Sequence, residues 1–269
     1  MALPVARFAA AVRARNPLIH SITNYVVAPF QANALSALGA SPIMADEPEE
    51  AAKLTGLSDG LVVNIGTLNQ HSINAMYLSA QAACRKNIPR VLDPVGVGAS
   101  YLRQHTVHEL LQLFRFSAIR GNAGEIAFLA QAGHRNKGID AGALEADPLQ
   151  IAQTVARRYQ SIVVMTGAED YITDGHTTYL CRNGHPMMSA ITGTGCQLSA
   201  LTAAFITANP GQPLEAAAAA VCAMGLAGEI AHARLTPLDG NATYRNYIID
   251  AIYNMTPEQL EKGANYEVR

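Results

Sequence analysis

Tryptophan is missing from the 269-residue chain, and aromatic residues make up only 6% of it. That scarcity argues against stacking platforms for single-stranded nucleic acid and against an aromatic belt at a membrane interface. Charge is thin as well. Charged residues make up 15%, the formal net charge is −2 and the pI is near 6.4, so no basic footprint for nucleic acid is present. No polar, Pro-rich or Ser-rich linker divides the chain, and beyond one alanine run there is no repeat or low-complexity segment. A Walker-type G-x-x-x-x-G-K-[ST] loop is absent, and Gly96-Val97-Gly98 lacks the third glycine of a dinucleotide fingerprint. The eight histidines show no metal-ligand spacing. Cys84, Cys181, Cys196 and Cys222 form no CxxC pair. The start, MALPVARFAAAVRARN, does not read as a signal peptide, so reduced thiols and a cytoplasmic location are expected. The apolar run Ala216 to Ala227 is too short and too weakly hydrophobic for a bilayer and reads as a buried helix, so neither a membrane nor a nucleic acid is expected as a partner.

What is present is a large apolar fraction, 49%, enough for a sizeable core. Short β-like runs alternate with segments of helical period, the pattern of an α/β fold with a mainly parallel sheet. Strands are expected at Leu61–Ile65, Arg90–Asp93, Ser117–Ile119 and Ile162–Thr166. Ile73, Met76, Tyr77, Ala80 and Cys84 share one face of a helix, and Asp147-Pro148 caps another that runs to about Tyr159. Asp174-Gly175 between two short β runs predicts a hairpin with a type I′ turn, hence an antiparallel edge. From Thr192 onward the pattern is helical, near Cys196–Thr207, Leu214–Ala233 and Tyr244–Tyr253. Gly133 to Asp147 is polar and reads as a surface loop. The expected architecture is one domain over residues 1–269, with helices on both faces of the sheet.

In open α/β sheets, ligands sit beyond the carboxyl ends of the strands. Three polar clusters fall there: Asp93, then Arg120 with Asn122 and Glu125, and Thr166 with Gly167. Taken singly, each acid suits an ordinary loop or helix cap. Together they suit a phosphate-bearing ligand with Mg²⁺, since Arg pairs with phosphate and Mg²⁺ takes a carboxylate or two plus phosphate oxygens. Ile191-Thr192-Gly193-Thr194-Gly195-Cys196 then opens a helix with small residues. Its free N–H groups and dipole make an anion hole from Gly193, Thr194 and Gly195, or else a plain helix start. Cys196 lies in that first turn, where a thiol pKa is expected to fall. Gly56-Leu57-Ser58-Asp59-Gly60 matches the nucleophile-elbow pattern but precedes a strand instead of following one, which rules it out. His20 is at least as well explained by loop packing as by a site role.

Gly193-Thr194-Gly195-Cys196 resembles the phosphoryl-transfer motif of ribokinase-like enzymes, in the form with Cys that marks the hydroxyethylthiazole kinases. His20-Ser21-Ile22-Thr23-Asn24-Tyr25-Val26, Ser41-Pro42-Ile43-Met44-Ala45, the segment Leu92–Ala99 and the segment Ile119–Ile126 carry the same resemblance, which runs nearly end to end. It implies a ribokinase-like fold and transfer of phosphate from ATP to a thiazole alcohol in thiamine salvage. It implies thiazole contacts at Asn24, Val26, Met44 and Gly193, and ATP contacts at Arg120, Thr166 and Asn122. It further implies Mg²⁺ near Glu125 and Asp93, Cys196 in the catalytic-base position, and a homotrimer with the thiazole site at a subunit boundary. Two alternatives stay in view: an ATP-dependent hydro-lyase of the nicotinamide-nucleotide hydrate dehydratase type, and a silent nucleotide-binding protein. The first carries Asp at the Cys196 position and lacks the His20–Val26 segment. The second has no visible cause in the sequence.

Overall fold

The computed structural model describes residues 3–131 and 147–269, so most of the Gly133–Asp147 segment lies outside the described residues. Six strands run parallel: β1 (Leu18–Ile22), β2 (Ser41–Met44), β3 (Gly60–Asn64), β4 (Arg90–Asp93), β5 (Ala118–Asn122) and β6 (Ile162–Thr166). β7 (Asp170–Thr173), β8 (Thr178–Cys181) and β9 (Tyr266–Val268) extend the sheet antiparallel. The order is β2-β1-β3-β4-β5-β6-β7-β8-β9 among the described residues. The chain therefore winds outward from β1 to β2, then returns to place β3 on the other side of β1. The carboxyl ends of all six parallel strands meet along one edge, with the topological switch between β1 and β3, where such sheets bind ligands.

Both faces are covered by helices, as expected. Alternate strand residues divide the core: Ile19, Val62, Val91 and Val164 face one cluster, Ile22, Leu61, Val63 and Leu92 the other. The first cluster takes α1 (Val5–Arg15) and α2 (Ala28–Leu38). The second takes α3 (Pro48–Leu57), α4 (Gln70–Lys86), α5 (Tyr101–Leu113), α6 (Ala123–Gln131) and α7 (Pro148–Tyr159). The first cluster is completed by α8 (Thr194–Ala208), α9 (Pro213–Ala233), α10 (Asn241–Asn254) and α11 (Pro257–Gly263). Local capping agrees with the sequence. Asp147 accepts from the Leu149 N–H at 3.1 Å, and Asn69 and Ser72 form a reciprocal capping box at the start of α4.

Three expectations need correction. The β7–β8 connection is not a two-residue type I′ turn. Residues 174–177 lie between the strands, and the Asp174 carboxylate accepts from the N–H groups of His176 and Thr177 at 2.9 Å each. Type I′ needs positive φ at both central residues, whereas only Gly175 has it, at +97°. The Asp side chain, able to satisfy backbone donors itself, builds a longer loop instead. The stretch after Thr192 is not wholly helical, because β9 returns to pair with β8 and closes the sheet edge. The helix α9 lies where it is expected, but it is not too short or too weakly hydrophobic for a bilayer: its 21 residues are long and apolar enough to cross one, and 83% of the apolar window is buried inside the fold, as a buried helix requires.

α9 packs so closely because Gly225 lacks a side chain. A Cβ there would come within 2.6 Å of the Asn183 backbone. Gly225→Ala should therefore cost about 1–3 kcal/mol, the usual penalty of overpacking. It would be read as a lower urea midpoint at unchanged m. An unchanged midpoint would mean that the β8 loop yields freely.

Candidate active site

The site is built where α8 points its N-terminus at the carboxyl edge of the sheet. Gly193 takes φ of +93°, and a Cβ on it would come within 2.2 Å of Val27 Cγ1, so the turn needs glycine on both counts. The first helical bond runs from the Gln197 N–H to the Gly193 carbonyl at 2.9 Å. The N–H groups of Thr194, Gly195 and Cys196 precede it without an intrahelical partner, a set shifted by one residue from the expected Gly193, Thr194 and Gly195.

Arg120, from β5, lies directly on this turn: a Cβ on Gly195 would come within 2.2 Å of its Nη1. The guanidinium is mostly buried, donates to Thr166 Oγ1 at 2.6 Å and stands 3.9 Å from Asp93 Oδ1. Asp93 is fully buried. Its Oδ2 accepts from Asn64 Nδ2 at 2.7 Å and from Ser199 Oγ at 2.8 Å. Burial pushes its carboxyl above the usual range, against the opposing pull of Arg120 and the two hydrogen bonds. Two buried atoms of this pair, Asp93 Oδ1 and Arg120 Nε, have no hydrogen-bond partner among the described residues. Such orphans call for an explanation, and an acceptor beside a donor suits a cation together with phosphate oxygens.

Glu125 is committed to its own backbone. Its Oε1 accepts from the Gly96 N–H and its Oε2 from the Asn122 N–H, both at 2.8 Å, while Asn122 Oδ1 accepts from the Glu125 N–H at 2.9 Å. The Asn122-x-x-Glu125 pair is thus a capping device that also holds the loop after β4. Among the described residues no group of three His, Cys, Asp or Glu forms a ready metal cage. The hard oxygens of Asp93 and Glu125 still fit Mg²⁺, which takes one or two carboxylates and completes its shell with water and phosphate.

On the other side of α8 lies Asn24, just after β1. Its Nδ2 donates to Asn64 Oδ1 at 3.0 Å and approaches Cys196 Sγ at 3.6 Å, while its Oδ1 accepts from the Val27 N–H. Cys196 is buried, with its carbonyl held by Gln31 Nε2 at 2.7 Å. The expected fall in its pKa is overturned: burial pushes the thiol up to about 12, Asp93 adds to the rise, and Asn64, Arg120 and Asn24 oppose it without winning. Desolvation is the largest of these causes and sets the direction. Val26 and Met44 lie further out, Val26 half exposed on the loop after β1 and Met44 at the end of β2. His20 is structural: buried and pushed toward the neutral form, it spans Thr55 Oγ1 and the Ala45 carbonyl at 2.8 Å each.

A cleft of about 750 Å³ opens from Arg120, Asn122, Thr166, Thr194 and Gly195 toward the β8 loop and α9. Within it the sequence reading missed Asp170, whose carboxyl burial raises to about 6 although the Gly167 N–H donates to it. It also missed Asn64 and Ser199. Asn64 carried a signal, a polar residue ending a strand of valines. Ser199 carried none, because its role depends on a helix folding back over β4.

The model of the Hydroxyethylthiazole kinase family matches residues 9–258. A hydroxyethylthiazole kinase of Clostridium acetobutylicum is 47% identical over 263 residues, covering 95% of this chain and 96% of the relative. The solved hydroxyethylthiazole kinase of Pyrococcus horikoshii OT3 superposes with a TM-score of 0.88 at 33% identity, over 98% of each chain. The pyridoxal kinase of Staphylococcus aureus in complex with AMP-PCP superposes with a TM-score of 0.63 at 15% identity, over 94% of this chain and 98% of that one, which shows the shared fold.

The raised thiol pKa has a consequence for stability. Above pH 9.0, its ordinary value, the unfolded chain releases the Cys196 proton while the folded chain keeps it up to about pH 12. Stability supplied by the neutral thiol is therefore present below pH 9 and lost as pH rises through that window. Cys196→Ser should lose less stability than the wild type between those limits in pH-dependent urea melts. Parallel curves would contradict the assignment.

Proposed function

The chain belongs to the hydroxyethylthiazole kinase family and is an ATP-dependent kinase of hydroxyethylthiazole, and we propose how its residues divide that reaction. The γ-phosphate of ATP passes to the primary alcohol of 4-methyl-5-(2-hydroxyethyl)thiazole, giving the thiazole phosphate and ADP, within thiamine salvage. The observation that supports this division is the position of the α8 N-terminus, with Arg120 and Thr166 on one side and Asn24 on the other.

Arg120, Thr166 and Asn122 hold ATP in the cleft, Arg120 by charge-assisted bonds to phosphate. Asn24, Val26, Met44 and Gly193 receive the thiazole. The N–H groups of Thr194, Gly195 and Cys196 neutralise charge on the transferring phosphoryl group, the main demand of a loose transition state. Asp93 and Glu125 would hold Mg²⁺, which supplies further charge neutralisation when bound. Cys196 meets the reacting hydroxyl. Its thiol keeps its own proton in the resting protein and so cannot take that of the alcohol; in a loose transition state the alcohol proton leaves late and passes to an oxygen of the transferred phosphoryl group. Residues 1–269 act as one domain. A homotrimer with the thiazole site at a subunit boundary fits the exposure of Tyr25 (77%) and Val26 (50%) beside buried Asn24. The four free thiols fit a cytoplasmic setting.

ATP consumption measured with and without hydroxyethylthiazole tests the reading. Turnover that needs the alcohol supports it, whereas nucleotide binding without turnover would point to a silent protein. Arg120→Ala should raise the KM for ATP about tenfold to a hundredfold and leave that for the thiazole nearly unchanged, since a contact to a charged group is worth about 1.5–3 kcal/mol. Equal effects on both substrates would make Arg120 structural. Cys196→Ala should lower kcat by less than the roughly 10²–10⁴ of an efficient general base. Cys196→Asp should keep or raise kcat, because a carboxylate suits the helix start. A fully active Ala variant beside a poorly folded Asp variant would reduce Cys196 to packing.

A further inference from the structure

We propose that Asn64 is a positioning residue, an amide hub that ties the thiazole side of the site to its phosphate side. Asn64 ends β3 at the topological switch and is 1% exposed. It stands in register with Asp93 across the β3–β4 pair. Its Oδ1 accepts from Asn24 Nδ2 at 3.0 Å and from the Gly66 N–H at 2.9 Å. Its Nδ2 donates to Asp93 Oδ2 at 2.7 Å. Both lone pairs of the oxygen are thus used, and one of the two N–H groups. Asn64 also opposes, as Asn24 does, the upward push of burial on the Cys196 thiol.

The orientation of this amide has one solution. Reversed, its NH₂ would face the Gly66 N–H and its oxygen would face the Asp93 carboxylate, two repulsions in place of two hydrogen bonds. The backbone of Gly66 and the charge of Asp93 therefore aim the oxygen at Asn24, which in turn aims Asn24 Nδ2 at Cys196. Gly66 is needed for the approach, because a Cβ there would lie 2.8–2.9 Å from Asn24 side-chain atoms. Asn64 touches neither proposed substrate in this arrangement. It acts through Asn24, which is assigned to the acceptor, and through Asp93, which is assigned to the phosphates. A group that sets the alignment of two reactants raises kcat more than it changes the binding of either.

The inference rests on the division of roles proposed above, and alcohol-dependent turnover of the wild type tests that reading separately. The test is a double-mutant cycle with Asn64→Ala and Asn24→Ala, followed by steady-state kinetics on folded protein. Asn64→Ala should lower kcat about tenfold or more with the KM for ATP nearly unchanged, as expected where an interaction serves the transition state. The double variant should be less impaired than the product of the two single effects, since the contact between the two amides is removed twice. Effects that multiply independently, or a wild-type kcat per folded site in Asn64→Ala, would overturn the proposal. Asn64→Asp is the second arm. It keeps both acceptor contacts to Asn24 and Gly66 but sets a carboxylate against Asp93. It should show low kcat when folded, and full activity in it would likewise overturn the proposal.

Discussion

The burial of Asp93 constrains everything around it. A carboxylate removed from water costs several kcal/mol unless charge and hydrogen bonds replace the lost hydration. Here Asn64 and Ser199 occupy one oxygen and Arg120 stands off the other. Each of these partners comes from a different element, so the strands β3, β4 and β5 and the helix α8 are held in one relative placement by a single acid. Ser199 lies on α8 just past its first turn. Meeting Asp93 therefore sets the helix with its N-terminus at the sheet edge, where its free N–H groups can serve a phosphoryl group.

Close backbone approach is the second condition. Gly193, Gly195 and Gly66 lie where a Cβ would collide with Val27, Arg120 and Asn24 respectively. None of the three is there for loop flexibility. Each lets a functional side chain or its support reach the centre of the site, and the polar network beneath α8 depends on all three contacts at once. The same network explains the Cys196 thiol. A site dry enough to strengthen Arg120 and the helix N–H groups is also dry enough to disfavour a thiolate.

Much of this was legible in the sequence. The strand ends at Asp93, Arg120–Glu125 and Thr166 mark the active edge, and Gly193–Cys196 marks the helix that faces it. Asp147-Pro148 marks the start of α7, since a capping side chain and a proline are local devices that need no tertiary partner. The short strands β1, β2 and β9 were not legible. Their residues carry little alternation of their own, and β9 exists only because β8 offers it an edge to pair with.

By itself, then, the sequence determined the fold class, the family resemblance and the residue types at the active edge, because periodicity, caps and motifs are short-range properties of the chain. Tertiary structure alone decided what those residues do to one another. Glu125 became a clasp for Asn122 and Gly96, since two backbone donors fall within its reach. Cys196 became a protonated thiol, since burial outweighs the hydrogen bonds and the Arg120 charge that oppose it. Asn64 and Ser199 entered the site because register and helix packing bring them to Asp93 from 29 and 106 residues away. Hydration and proximity belong to the folded chain, and no local pattern records them.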